Sequence, residues 1–188
     1  MRQTKAELMA ALAQLLEERP MNKIKVKDIV DLCGVNRNTF YYHFPDIPTL
    51  LQEMVEEKID WIIHNHCRLG EPLDCILPML EYFQAHRAAV LHIYRGIPRE
   101  EFLLYLRKLS QHMADEYFES VANELPVSPE DRTLLSWYYQ CSATGVLLDW
   151  LDSGMKYDLE KNMERLCFLM RGNGERALLL AAQNRPEE

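Results

Sequence analysis

The sequence predicts an all-α chain, a small three-helix module at the N-terminus followed by a larger helical domain, and three observations carry that prediction. Leu, Glu, Met and Ala are plentiful, while Gly (7) and Pro (9) are few, which favours helix over sheet. Hydrophobic residues make up 48% of 188 residues, enough for a sizeable core and too many for wholesale disorder. Apolar residues recur at helical spacing along the chain, and no segment alternates as a strand would.

The elements can be taken in order. Thr4 and Glu7 form a T-x-x-E capping box, and Leu8, Ala11, Leu12, Leu15 and Leu16 follow as one stripe that Pro20 stops. Val26 to Cys33 is a second helix, with Gly34 placed for a left-handed C-terminal residue. Asn36 is the N-cap of a third helix, Arg37 to Phe44, which Pro45 blocks. A fourth begins near Pro48 and runs to about Leu69, ending at Gly70. Leu73 to Gln84 and Ala85 to Arg95 follow, with Pro78 expected to kink or delay the first and Gly96 closing the second. Arg99 to Leu125 is long and amphipathic. Ser128, Pro129 and Asp131 open another helix that Gly154 closes; Asp158 caps one running to about Met170; and Glu175 to Ala182 is the last. The expected domains are residues 1–47 and 48–188.

Charge narrows the function. The net charge is −8, which argues against a protein coated in basic residues but leaves a local positive face open. From Arg19 to His43 there are five basic residues (Arg19, Lys23, Lys25, Lys27, Arg37) against two acids (Asp28, Asp31), a net +3, so the remainder carries −11. The five cysteines (33, 67, 75, 141 and 167) are odd in number and form no CxxC, and no signal peptide is read, so reduced thiols in a cytosol are expected. No apolar run approaches the ~18 residues that span a bilayer, so no membrane partner is expected.

Residues 26–44 read as helix, Gly-containing turn and polar-capped helix, the helix-turn-helix pattern. In the third helix Phe40 and Phe44 can face a core. The other face carries Arg37, Asn38, Tyr41 and Tyr42, with no acid. Arg suits guanine and Asn suits adenine in the major groove, while Tyr hydroxyls and His43 suit phosphates. Two adjacent exposed tyrosines place ring surface in water, which is unusual without a partner.

The run Val26-Lys27-Asp28-Ile29-Val30 through Cys33-Gly34-Val35-Asn36-Arg37-Asn38-Thr39-Phe40-Tyr41-Tyr42-His43-Phe44 resembles the DNA-binding signature of the TetR/AcrR family. The resemblance covers roughly residues 4–55. It implies an N-terminal three-helix helix-turn-helix DNA-binding domain and a larger C-terminal helical domain for dimerisation and effector binding. It also implies a bacterial, cytoplasmic transcriptional regulator, a repressor by expectation, acting as a homodimer on palindromic double-stranded operator DNA. Carried over by position, Arg37, Asn38, Thr39, Tyr41 and Tyr42 face the major groove, Tyr41 and His43 fall where the family contacts phosphate, and Lys25 and Lys27 lie near the DNA backbone. Two departures stand out. Lys25 replaces a frequent Thr, giving up a cap for a charge, and Ile47 replaces a frequent phosphate-contacting Lys.

In the C-terminal half, Ser142, Ala143 and Gly145 put small residues at near-helical spacing, which lets two helices approach closely. With Met163, Leu166, Cys167 and Met170 they resemble the paired last helices of the family's four-helix dimer interface, most closely in the subgroup of dihydroxyacetone kinase regulators. The expected interface is Ser142, Gly145, Leu148, Met163, Leu166, Cys167 and Met170. An effector pocket is expected among His92, Tyr94, Tyr117, Trp137 and Tyr138, although each residue also reads as an ordinary core or boundary position. The effector is a small molecule or a protein co-regulator of unassigned identity.

Other classes are weighed against this. His64, His66 and Cys67 could suggest a metal, but His near a helix C-terminus complements the dipole and no second cluster exists, so no metal and no cofactor are expected. There is no GxSxG, P-loop, GxGxxG or HExxH, and Glu56, Glu57 and Asp60 read as a solvated face, so no enzyme is expected. The alternative is a helical adaptor that acts through a protein partner with weak or no DNA binding of its own.

Overall fold

The computed structural model describes residues 2–66, 73–122 and 127–183. Ten α-helices are present there: α1 (Arg2–Glu18), α2 (Val26–Cys33), α3 (Arg37–His43), α4 (Ile47–His66), α5 (Leu73–Ala85), α6 (Arg87–Gly96), α7 (Arg99–Ala122), α8 (Pro129–Asp152), α9 (Leu159–Leu169) and α10 (Asn173–Gln183). A short 3-10 turn (Met21–Lys23) joins α1 to α2, and no strand occurs among the described residues. The helix ends expected at Leu69–Gly70 and Leu125–Pro126 fall outside the described residues.

The caps follow the local chemistry. Asn36 Oδ1 accepts from the Thr39 N–H at 2.9 Å, Ser128 Oγ from the Asp131 N–H at 3.0 Å and Asp158 Oδ1 from the Lys161 N–H at 2.9 Å, each opening the helix read from sequence. Gly34 adopts φ 69°, the left-handed geometry that ends α2 with its N–H on Val30 O. Two expectations are corrected. The Thr4–Glu7 capping box is not where α1 begins, because Arg2 and Gln3 are good helix formers and the helix runs through Thr4. Pro78 does not delay α5, which starts at Leu73 and includes it.

The chain divides into two compact units, Met1–Asp60 with Phe83–Tyr105, and Trp61–Tyr82 with Leu106–Glu188. In the first, Leu8, Leu12, Leu16, Ile29, Phe40, Phe44 and Leu50 are fully buried and form one core. That core is not built by the first three helices alone. Ala89, Ile93 and Ile97, four residues apart at the α6 end of the unit, pack against it.

In the second unit Phe118, Val127 and Leu178 form a core with Leu135, Tyr139, Ala181 and Ala182, and Trp150, Leu151, Met155 and Leu159 are buried around the α8–α9 turn. Ser136, Gln140 and Thr144 add a buried polar row along α8. Ser136 donates to Asp115 Oδ1, and Gln140 Nε2 donates to Thr144 Oγ1 at 3.2 Å.

Candidate nucleic-acid interface

α3 separates its two faces sharply. Phe40 and Phe44 are buried in the first unit's core, their rings 6.1 Å apart. Arg37 and Asn38 are exposed, and Tyr41 and Tyr42 stand 57% and 69% exposed beside them. Residues 37, 38, 41 and 42 are i, i+1, i+4 and i+5, one broad stripe of a helix. The tyrosines are not free to swing: Tyr41 packs edge-on to Phe40 at 5.5 Å, and Tyr42 edge-on to His43 at 5.1 Å. His43 is half-buried, so its ring steadies Tyr42 and presents only part of its edge. Thr39 is also half-buried, and its hydroxyl donates to Asn36 Oδ1 at 3.2 Å, which ties it to the cap.

Lys25 and Lys27 are exposed at the start of α2. An ammonium group accepts no hydrogen bond, so Lys25 cannot cap α2 with its side chain. The reverse half of the box compensates: the Lys25 N–H donates to Asp28 Oδ2 at 2.9 Å. Asp28 also lies 3.8 Å from Arg19 Nη2, which offsets one of the two acids in the basic window. Sequence reasoning missed this, although an acid three residues after the cap is the signal that would have found it. At the head of α4, Ile47 packs against the core, so the position where the family often has a cation is spent on burial. Asp46 caps α4 instead, accepting from the Thr49 N–H at 2.8 Å and the Thr49 hydroxyl at 2.7 Å.

The residues expected to line a pocket are dispersed. His92 Nδ1 lies 2.7 Å from Leu16 O within the first unit. Tyr94 stacks edge-on to Phe102 at 4.8 Å, and its hydroxyl accepts from Arg99 Nη1 at 2.9 Å. Trp137 and Tyr138 are 56% and 54% exposed on α8. The side chain of Tyr117 lies outside the described residues. A groove of about 400 Å³ in the second unit is lined instead by Arg107, Lys108, Gln111, His112, Asp115 and Gln140.

Of the seven residues expected at an interface, Ser142, Gly145, Leu166 and Met170 are exposed, and Leu148, Met163 and Cys167 are half-buried. On α8, Leu134, Trp137, Tyr138, Cys141, Ser142 and Gly145 are all exposed and share one side of the helix, and Leu148 is half-buried. A side chain added at Gly145 would meet nothing within 4 Å. On α9 Leu166 is exposed and Met163 and Cys167 are half-buried, and Met170, just after the helix, is exposed. Among the described residues no group of three His, Cys, Asp or Glu could hold a metal ion, and no helix is long and apolar enough to cross a membrane.

A buried aromatic face, a capped N-terminus and an acid-free polar face on the second helix of a helix-turn-helix define a DNA-binding transcriptional regulator. Known proteins agree. The family model for bacterial regulatory proteins of the tetR family matches residues 8–54, and that for the transcriptional regulator C-terminal region (TetR_C_8) matches residues 70–172. The HTH-type transcriptional repressor KstR2 of Mycolicibacterium smegmatis is 21% identical over 162 residues, 79% of each chain. The HTH-type transcriptional regulator EthR of Mycobacterium tuberculosis is 32% identical over 53 residues, 28% of this chain and 24% of its own. Among solved structures, the dihydroxyacetone kinase operon activator DhaS superposes with a TM-score of 0.65 at 16% identity, covering 98% of both chains. The chain belongs to the TetR family of transcriptional regulators.

Proposed function

We propose that the protein is a cytoplasmic repressor that binds a palindromic operator as a homodimer, reading bases with Arg37, Asn38, Tyr41 and Tyr42 and holding phosphates with Lys25, Lys27 and His43. The observation that carries this reading is the exposed tyrosine pair. Both rings are braced by neighbours and open to solvent, and such surface gains by being covered. Thr39 contributes its methyl group and its part in the cap rather than a free hydroxyl.

The open side of α8 supports the homodimer, as do the exposed Leu166 on α9 and Met170 just after it. A second copy laid on it covers Trp137 and Tyr138, and Gly145 allows the two backbones to approach. Two recognition helices then meet successive major grooves about 34 Å apart. Regulation arrives through the C-terminal domain, whose groove between Arg107 and Gln140 offers an effector apolar surface edged by hydrogen-bonding side chains. The name of the sequence relative KstR2, a repressor aligned over 79% of its length, supports the sign.

The test is selection of bound duplexes from a random pool, wild type beside Arg37→Ala/Tyr41→Ala. Enrichment of a palindrome by wild type alone supports the reading; no enrichment at low salt by wild type overturns it.

A further inference from the structure

The end of α1 lacks a donor that its own sequence withholds. In an α-helix the carbonyl of residue i accepts from the N–H of residue i+4. Leu15 is served in this way, by the Arg19 N–H at 3.0 Å. For Leu16 the residue four ahead is Pro20, which has no N–H. Leu16 is buried, and a buried carbonyl without a donor is destabilising.

The donor comes from far along the chain. His92 Nδ1, in the middle of α6, stands 2.7 Å from Leu16 O. A carbonyl offers only lone pairs, so Nδ1 carries the hydrogen. Two more points fix α6 in place. His86, at its N-cap, sets Nδ1 2.7 Å from Glu17 Oε1. At the other end, a side chain on Gly96 would stand 2.8 Å from the backbone nitrogen of Met21, so α6 fits there only because residue 96 has none.

What these points hold is the entry to the helix-turn-helix. Pro20 O accepts from the Lys23 N–H at 2.9 Å, Met21 O accepts from the Ile24 N–H at 3.0 Å, and α2 then begins at Val26. The segment is seven residues long from the end of α1 to the start of α2, so a shift at Leu16 is passed on with little slack.

We infer that His92 is a positioning residue for DNA binding: it supplies the donor that Pro20 withholds, fixing α6 to the end of α1 and so setting where α2 starts. It touches no DNA. Its role deepens the DNA-binding reading above, and two of its three readouts do not depend on that reading.

The experiment uses the full chain with His92→Ala, His92→Asn, Pro20→Ala and the Pro20→Ala/His92→Ala double variant. Nitrogen NMR of the wild-type imidazole should show the Nδ1–H form at neutral pH. Amide exchange between residues 16 and 29 should quicken in His92→Ala. Affinity for the duplex that wild type selects from a random pool should fall about tenfold, because the share of chains with α6 fixed to α1, and so with α2 in place, drops when the Leu16 carbonyl loses its donor. Asn, whose amide can donate from nearly the Nδ1 position, should restore most of both effects. With Ala at position 20 the chain regains its own N–H, so the further loss on removing His92 should shrink to about twofold or less. An Nε2–H imidazole, unchanged exchange in His92→Ala, or an equal loss whether residue 20 is Pro or Ala overturns the proposal. If wild type selects no duplex, the DNA-binding reading fails, while the imidazole form and the exchange pattern still decide this one.

Discussion

Tyr157 donates its phenol hydroxyl to Asp149 Oδ2 at 2.8 Å, closing the turn that carries α8 into α9. The same turn is held by Trp150, whose indole N–H donates to Tyr157 O at 3.0 Å, and by a left-handed pair, Gly154 at φ 74° and Met155 at φ 57°. Burial, reinforced by the bond to Asp149 and by its charge, pushes the Tyr157 phenol up to about 12. A phenol becomes charged on losing its proton, so the folded chain holds this proton more tightly than the unfolded one. The stabilisation is therefore fully present below the ordinary value of 10.0 and is lost as pH climbs from there through about 12. Tyrosinate absorbance should show late-titrating phenols, of which Tyr157→Phe removes one. A Tyr157→Phe difference curve with no late step would refute the assignment.

Arg37→Ala and Lys25→Ala should fail in different ways. Losing Arg37 should weaken the selected duplex by about 1–3 kcal/mol and relax preference at one base position. Losing Lys25 should weaken all duplexes alike and lower the salt slope by about one. Binding isotherms on matched and scrambled duplexes at several salt concentrations separate the two.

Gly145→Ala has opposite effects on one chain and on two. In the single chain the new methyl meets nothing, and Ala favours an exposed helix interior over Gly by ~1 kcal/mol. Across a close helix pair the same methyl is in the way. Sedimentation at decreasing concentration should show a weaker dimer, while thermal melting of the dilute chain rises. A variant that both melts higher and dimerises as well as wild type would remove Gly145 from the interface.

Phe40→Ala should cost about 3–5 kcal/mol, because the ring is fully buried beside Phe44 and its loss leaves a cavity under the recognition face. Denaturant melts followed by helix signal measure it. A loss below about 1 kcal/mol would mean that α3 does not sit on this core.

What the sequence made legible is what short-range chemistry decides. Asn36, Gly34, Ser128 and Asp158 are read correctly because cause and effect lie within four or five residues. The faces of α3 are legible for the same reason, since Phe40 and Phe44 differ so plainly from Arg37 and Asn38. Trp137 and Tyr138 were harder: an aromatic at helical spacing says that something covers it, but not whether that is the chain's own interior or another surface. His92 was harder still. A proline four residues after Leu16 announces an orphan carbonyl, yet nothing local says which of 188 residues will answer it.

The apolar contacts of Ala89, Ile93 and Ile97 with the N-terminal core also bear on how the protein is made. A ribosome delivers α1, α2 and α3 first, but the surface they leave bare is not closed until residue 97 has emerged. A nascent or prematurely terminated chain of some 60 residues therefore carries the whole recognition helix on an unfinished support. The N-terminal core is thus completed by residues that lie about fifty positions beyond the recognition helix, and its folding waits on them.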